Sequence, residues 1–345
     1  MKVGIIGANG YSGIELIRFL LQHPYTSIEI IVANSNSGKE IQELFPHLTN
    51  LFEMELKQLN IDEISSRVDL LFFATPSGIS KDLIPSFLER GIKCIDISGD
   101  FRLKDPDLYE TWYNFTHSNP NMLEEAAYGL ADVYNENLAH SSLIANPGCY
   151  ATAALLGLVP IIKHNVIDPG TIIIDGKSGV SGAGRKTSIA THYSEVNENV
   201  KAYKVGAHQH IPEIEQVLTE INGEKVNISF TTHLIPMTRG ILTTIYASLK
   251  ENLTSEQLHK LYEKFSSHSP FVRIRPIGNI PATKEVYGSN YCDIGFVIEE
   301  RTERVMIFSV IDNVVKGAAG QAIQNMNIVN GWDMETGLRF TPTYP

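Results

Sequence analysis

The opening of the chain constrains the fold most. Lys2-Val3-Gly4-Ile5-Ile6 is a short apolar run, Gly7-Ala8-Asn9-Gly10-Tyr11-Ser12-Gly13 follows, and Ile14 to Leu21 then carries apolar residues at helical spacing. The pattern predicts a buried strand, a glycine turn and a helix whose N-terminus faces whatever the turn holds. Glycines permit the sharp turn and let the backbone approach a pyrophosphate, whose charge the helix N–H groups favour. The spacing is GxxGxxG and not the commoner GxGxxG, so a tight turn without a ligand is the competing reading. Gly7, Asn9, Gly10, Tyr11, Ser12 and Gly13 are the candidate cofactor contacts.

A second strand, Ile28 to Ala33, leads into Asn34-Ser35-Asn36-Ser37-Gly38-Lys39. An NAD-specific fold places an acid near this point for the ribose 2′-hydroxyl. None stands here, whereas Ser35, Ser37 and Lys39 offer hydroxyls and a cation to a 2′-phosphate, so NADP(H) is favoured over NAD; an ordinary polar loop is the alternative. Apolar strands recur at Leu70 to Ala74 and Lys93 to Ile97 with a helix between them. This alternation predicts an α/β doubly wound sheet. Thr75, Pro76 and Ser77 stand at a strand's carboxyl end, where such sheets bind ligands. Arg102 is a candidate anion contact, with Asp100 its candidate ion-pair mate.

At 345 residues the chain exceeds one ordinary core, and about two domains is the expectation. Hydrophobic residues are 43% and charged ones 19%, a globular composition with no signature of disorder. Lys and Arg total 28 against 39 Asp and Glu, a formal charge of -11, which disfavours nucleic acid and anionic membranes as partners. An anionic small molecule then needs local cations or helix N-termini. Cys94, Cys149 and Cys292 give no disulfide framework or CxxC metal site, and Met1-Lys2-Val3 opens no signal-peptide apolar region. No apolar run reaches membrane-spanning length, so a cytoplasmic protein is expected.

Asn146-Pro147-Gly148-Cys149-Tyr150-Ala151-Thr152 ends an apolar strand, turns sharply and puts Cys149 in the first turn of an Ala/Leu-rich helix. Unpaired N–H groups and the helix dipole favour a thiolate there, which makes Cys149 the candidate nucleophile. The ordinary role of a lone cysteine is a small buried hydrophobe, and Cys94 and Cys292 in strand-like surroundings fit it. Farther on, His208 and His210 stand just before a helix with Pro212 and Glu213 in its first turn. That position biases a histidine towards the neutral form a base requires, so either one is a candidate to serve Cys149. An HxH metal site lacks a third ligand nearby, and no metal is expected.

The domain boundary falls near Val166 to Gly170, before a strand over Thr171 to Asp175 and a Gly/Ser loop over Gly176 to Lys186. The loop is either a flexible connection or an anion-binding nest. Ser178 and Gly179 in it are candidate cofactor contacts; Ser181 and Arg185, with Arg102 and Asn146, are candidate substrate contacts. Alternating runs at 227–234, 241–249, 293–298 and 304–310 predict a second, antiparallel sheet. Thr254 and Gln257 form a capping box for the helix that interrupts them. Tyr246 and Lys250 match a YxxxK spacing, but that pair must lie on a helix and this segment alternates as a strand. Asp312 to Ala322, with Asn313 as a cofactor candidate, opens a small-residue helix.

Together the GANGYSG, NPGCYAT, SGVSGAGR, HQHIPEI and NVVKGAAGQAIQNMN stretches resemble the N-acetyl-gamma-glutamyl-phosphate reductases of arginine biosynthesis over nearly the whole chain. PGCYAT running through Gly157 to Pro160 is the most specific part. Aspartate-semialdehyde dehydrogenases share the fold and cysteine chemistry; in them the catalytic histidine follows an Arg-Gly pair, whereas here Arg239-Gly240 is followed by Ile241. The resemblance implies a Rossmann domain over 1–147, a mixed α+β catalytic and oligomerisation domain over 148–312, and residues 313–345 returning as a helix to the first. It also implies a reaction. Cys149 attacks the acyl phosphate of N-acetylglutamyl 5-phosphate, inorganic phosphate leaves, and hydride from NADPH converts the thioester to the semialdehyde. His208 is the first choice of base and later acid, and His210 its competitor. A homodimer or homotetramer is implied, and a non-redox cysteine acyltransferase or hydrolase is the more distant alternative.

Overall fold

The computed structural model describes residues 1–345, which divide into two compact units: 1–147 with 318–339, and 148–317 with 340–345. In the first unit, β1 (Lys2–Ile6), β2 (Ser27–Val32), β3 (Leu70–Phe73), β4 (Lys93–Asp96), β5 (Ala127–Tyr128) and β6 (Leu143–Ala145) form one sheet. Its order is β2-β1-β3-β4-β6-β5, and every neighbouring pair is parallel. Parallel neighbours need crossovers, which α1 (Tyr11–Leu20) and α2 (Ser80–Leu88) supply between β1 and β2 and between β3 and β4. Leu70, Leu71, Phe72 and Phe73 have no exposed surface, as expected of a strand covered on both faces. The expected doubly wound, Rossmann-like α/β arrangement is thus present. The chain leaves β1 for β2 on one side and returns to β3 on the other, so the ligand crevice of such a sheet opens beyond the carboxyl ends of β1 and β3.

Gly7 closes the strand-to-helix turn there. Its φ is +90°, and a Cβ on it would stand 2.3 Å from the carbonyl oxygen of Ala74. No side chain larger than hydrogen fits without separating the ends of β1 and β3.

The second unit is built on α3 (Cys149–Lys163), β7 (Ile173–Ser178), β8 (Lys201–Tyr203), α4 (His210–Asn222), β9 (Ser229–Leu234), β10 (Ile241–Ser248), α5 (Ser255–Ser266), β11 (Val272–Ile274), β12 (Cys292–Glu299) and β13 (Arg304–Ile311). Seven strands form one sheet in the order β11-β12-β13-β10-β7-β9-β8. Most pairs are antiparallel as predicted, but β7 with β9 and β11 with β12 run parallel, so the sheet is mixed. For β7 and β9 the reason is connectivity: the chain between them runs through β8 and helix α4, a connection long enough to return it parallel to β7. The capping box of α5 forms, Thr254 Oγ1 accepting from Gln257 N–H at 3.3 Å and Gln257 Oε1 accepting from Thr254 N–H at 2.8 Å.

Three local expectations shift. Residues Pro169–Thr171 make a 3-10 turn, because Asp168 accepts from Gly170 N–H and Pro169 cannot donate to a ladder; the strand starts at Ile173 and runs on to Ser178. Gly176, Lys177 and Ser178 therefore belong to β7 and not to the glycine-rich loop. The tail does not enter its helix directly either: Asp312 accepts from Val314 and Val315 N–H, a π-helical turn spans Val315–Ala319, and the regular helix α6 (Gly320–Val329) follows.

Gly7→Ala is expected to cost at least about 2 kcal/mol of stability through backbone strain and overpacking. Urea unfolding measures it; a midpoint equal to wild type would mean the turn relaxes freely.

Candidate active site

Cys149 is the first residue of α3, preceded by Gly148 as an N-cap that offers no side chain to the helix. The first N–H groups of α3 therefore lack intrahelical acceptors, and the cysteine lies where a thiolate or a developing oxyanion is favoured. It is half-buried, whereas Cys94 and Cys292 are 1% and 0% exposed. Burial pushes the Cys94 thiol far up, which keeps it protonated and inert.

The two histidines differ sharply in environment. The His208 ring sits among Tyr150, Tyr203 and Phe230 with centroids 5.4, 5.9 and 5.6 Å away, and its Nδ1 accepts the His210 N–H at 3.1 Å. Burial first, and then the Lys204 cation, push its pKa down to about 3. With Nδ1 occupied as acceptor, the neutral ring carries its proton on Nε2 and keeps no lone pair for a thiol proton. His210 is placed differently: it is the first residue of α4, and not ahead of the helix as the sequence suggested. Its Nε2 would lie 2.2 Å from a Cβ on Gly148, so the ring packs directly on the residue before Cys149. Glu213, on the next turn of α4, is fully buried and accepts the Gly148 N–H on Oε1 at 2.7 Å.

At the other candidate end, Gly10 is the N-cap of α1 and again provides no side chain, so the first N–H groups of the helix lack a side-chain cap. Asn9 Nδ2 donates to Ser35 at both its carbonyl and Oγ, 3.1 and 3.0 Å, which ties the glycine turn to the loop after β2. Lys39 is exposed and Ser37 half-buried in that loop. The Thr75 hydroxyl is buried without a partner, beside exposed Pro76 and Ser77. A glycine cradle, an uncapped helix and an orphan hydroxyl fit a dinucleotide with its ribose. Asp100 holds this edge together, accepting from Gly78 N–H, Ser80 Oγ and Lys81 N–H at 2.8, 2.9 and 3.2 Å.

The chain matches two family descriptions, "Semialdehyde dehydrogenase, NAD binding domain" over residues 2–141 and "Semialdehyde dehydrogenase, dimerisation domain" over 149–313. It is 52% identical to the N-acetyl-gamma-glutamyl-phosphate reductase of Geobacillus sp. (strain WCH70) and 50% identical to that of Bacillus subtilis (strain 168), in each case over all of both chains. The chain belongs to the N-acetyl-gamma-glutamyl-phosphate reductase family. Its fold is shared with aspartate semialdehyde dehydrogenase II from Vibrio cholerae, at a TM-score of 0.73 and 17% identity over 96% of this chain and 98% of that one. The Candida albicans aspartate semialdehyde dehydrogenase with NADP gives 0.70 at 15% identity over 95% and 98%.

Within this reductase family member, the remaining candidates scatter. Arg102 is 6% exposed and spends Nε on the Asn146 carbonyl and Nη2 on the Ile97 carbonyl, 2.8 and 2.9 Å, so it braces the backbone. Asn146 is fully buried, with its amide donating to Ala318 O and accepting from Asn325, which commits it to the scaffold. Ser178 is buried and donates to its neighbour's carbonyl. Asn313 bonds Ser181 Oγ at 3.0 Å and accepts Gly240 N–H at 2.8 Å, joining the loop after β7, including Gly179 and Ser181, to the start of β10. Arg185 is exposed. Sequence reasoning missed Glu213 as a partner of the cysteine turn; its place at the third residue after His210, one helical turn on, was the available signal.

Because the folded pKa of His208 lies below its ordinary 6.5, the unfolded chain takes up a proton first as pH falls. The stability from keeping it neutral is full above about 6.5 and is lost towards about 3. His208→Phe, which keeps a ring in the aromatic cage, is expected to flatten the fall of unfolding temperature across that window in scanning calorimetry. A wild-type slope in the variant would exclude His208 as its source.

Proposed function

We propose that the chain reduces N-acetylglutamyl 5-phosphate to N-acetylglutamate 5-semialdehyde with release of phosphate, using NADPH and a thioester on Cys149. The observation that carries this reading is a half-buried cysteine at an uncapped helix start, with the His210 ring against the preceding residue. Its support is end-to-end similarity, at about half identity, to reductases of that name.

His210 takes the thiol proton as Cys149 Sγ attacks the acyl carbon; the bond from carbon to the phosphoryl oxygen breaks and phosphate departs. His208 yields the base role to His210 because its free lone pair is already spent. Backbone N–H groups of the first turn of α3 stabilise the developing oxyanion. Bound NADPH would supply the hydride that reduces the thioester carbon. Cys149 then leaves as thiolate from the thiohemiacetal, and His210 manages the remaining proton. The first unit holds the dinucleotide through Gly7, Asn9, Gly10, Tyr11, Ser12, Gly13 and Thr75, with Ser35, Ser37 and Lys39 towards the 2′-phosphate; the second carries the acyl chemistry. Ser181 and Arg185 remain the substrate candidates, whereas Arg102 and Asn146 act as braces.

A second copy of the chain is the partner this reading adds. One face of the seven-stranded sheet carries half-buried Leu242, Tyr246, Met306 and Phe308 on paired β10 and β13, while Ile173 nearby is 43% exposed. A contiguous apolar sheet face of this kind is stable when covered by its own copy. The assembly is a homodimer, or a homotetramer built from it.

Reduction of NADP with N-acetylglutamate semialdehyde is expected to require phosphate or arsenate and to exceed that with aspartate semialdehyde. Turnover independent of phosphate, or preferring the aspartyl substrate, would refute the assignment. Cys149→Ala should abolish turnover with NADPH binding retained, and His210→Asn should lower kcat by roughly a hundredfold or more; substantial turnover in Cys149→Ala would remove the thioester. Tyr246→Glu with Met306→Glu should reduce the sedimenting mass to one chain. An unchanged mass would place the contact elsewhere.

A further inference from the structure

The last helix carries a polar face that the chemistry above leaves unused. Gln321, Gln324, Asn325 and Asn327 on α6 have no exposed surface. Asn325 Nδ2 donates to Gly129 O at 2.9 Å and to Asn146 Oδ1 at 3.0 Å, and Gln321 Nε2 donates to the same Gly129 carbonyl at 2.9 Å. The amide oxygens of Gln321 and Asn325 are buried without a donor.

Both amides donate to the Gly129 carbonyl, and Asn325 alone continues to Asn146. Besides accepting from Asn325, Asn146 donates Nδ2 to Ala318 O at 3.2 Å, receives Arg102 Nε on its carbonyl at 2.8 Å, and gives its N–H to Asp96 O at 2.8 Å. Every polar group of this residue is engaged, and Pro147, Gly148 and Cys149 follow it directly. The amides form a chain of one polarity, from Asn325 N–H to Asn146 oxygen and from Asn146 N–H to Ala318 oxygen, so Asn325 decides which way the Asn146 carboxamide faces. Independently, Gly317 at the π-helical turn ahead of α6 would bring a Cβ within 2.6 Å of the Cys149 Cβ. The stretch leading into α6 therefore touches the cysteine itself, while α6 secures the residue from which the cysteine turn departs.

We propose that Asn325 is a positioning residue for the nucleophile: by fixing the Asn146 carboxamide it anchors the residue, three before Cys149, from which the cysteine turn departs. The proposal rests on Cys149 being the nucleophile. Asn325→Asp places acceptors against Gly129 O and Asn146 Oδ1 and reverses the amide chain; Asn325→Ser shortens the donor and serves if the aspartate variant does not fold. Gln324→Leu is the control, since Gln324 is equally buried on the same helix but bonds Asp132 and Met334.

The full-length protein with NADPH is assayed for kcat, for NADPH affinity, for unfolding temperature, and for the pH dependence of Cys149 alkylation by iodoacetamide. The Asn325 variants should lose roughly tenfold to a hundredfold in kcat, as small displacements of a reacting group do. Their alkylation midpoint should move to higher pH with NADPH affinity unchanged, while Gln324→Leu loses thermal stability alone. Asn325 variants that melt earlier but keep wild-type kcat and alkylation would overturn the proposal and leave a structural amide. Inactive Cys149→Ala beside unaffected Asn325→Ser would reject this inference alone, whereas active Cys149→Ala would reject the nucleophile beneath it.

Discussion

The hydrogen bond from Gly148 N–H to the buried Glu213 carboxylate joins the two halves of the candidate chemistry. Gly148 begins the helix that presents Cys149, and Glu213 lies one turn along the helix that begins with His210. A charge-assisted bond to a buried carboxylate contributes on the order of 2 kcal/mol and leaves an expensive orphan if broken. The absent side chain of Gly148 makes room for the His210 ring, so the same residue supplies both a donor to α4 and a surface for that ring. Cys149 and His210 thus sit at the N-termini of two helices fastened together at those ends.

The features that were legible in the sequence are those whose causes are local. GANGYSG announces a strand, a turn and a helix because glycine spacing and apolar period lie within a few residues of each other, and NPGCYAT does so for the cysteine. The doubly wound sheet follows from the same alternation. The sequence reading put His208 ahead of His210 as base, but it could not see the environments that separate the two rings: Tyr150, Tyr203 and Phe230 close over one and leave the other beside Gly148. Asn146 and Arg102 looked like substrate contacts because amides and guanidinium groups are the usual anion ligands. Their partners, Ala318 and Asn325 for one and two backbone carbonyls for the other, lie far along the chain or on the main chain, where a side-chain pattern leaves no mark. The parallel β7 and β9 pair was hidden for a related reason: alternation reports which face is buried and says nothing of strand direction.

Charge presents a further constraint. The chain carries a net -11, yet NADP(H), the acyl phosphate and the released phosphate are all anions. The global field therefore opposes capture, and binding must come from groups acting within a Debye length or less. The uncapped starts of α1 and α3 offer backbone N–H groups suited to that demand, which add no net charge and need no flexible side chain to be ordered. Arg102, whose guanidinium reaches the start of the cysteine turn, is turned inward to brace the Asn146 carbonyl. A scaffold that holds its anion sites as backbone geometry has to keep that geometry rigid. This gives a physical reason for the buried polar groups around the two turns: Asp100 on Gly78 and Lys81 and Glu213 on Gly148 spend desolvated side chains on fixing main chain, and Asn325 holds the Asn146 side chain and the Gly129 carbonyl. Catalytic power in such a site resides less in the acidity of any one side chain than in how little the helix starts can move when charge develops on the substrate.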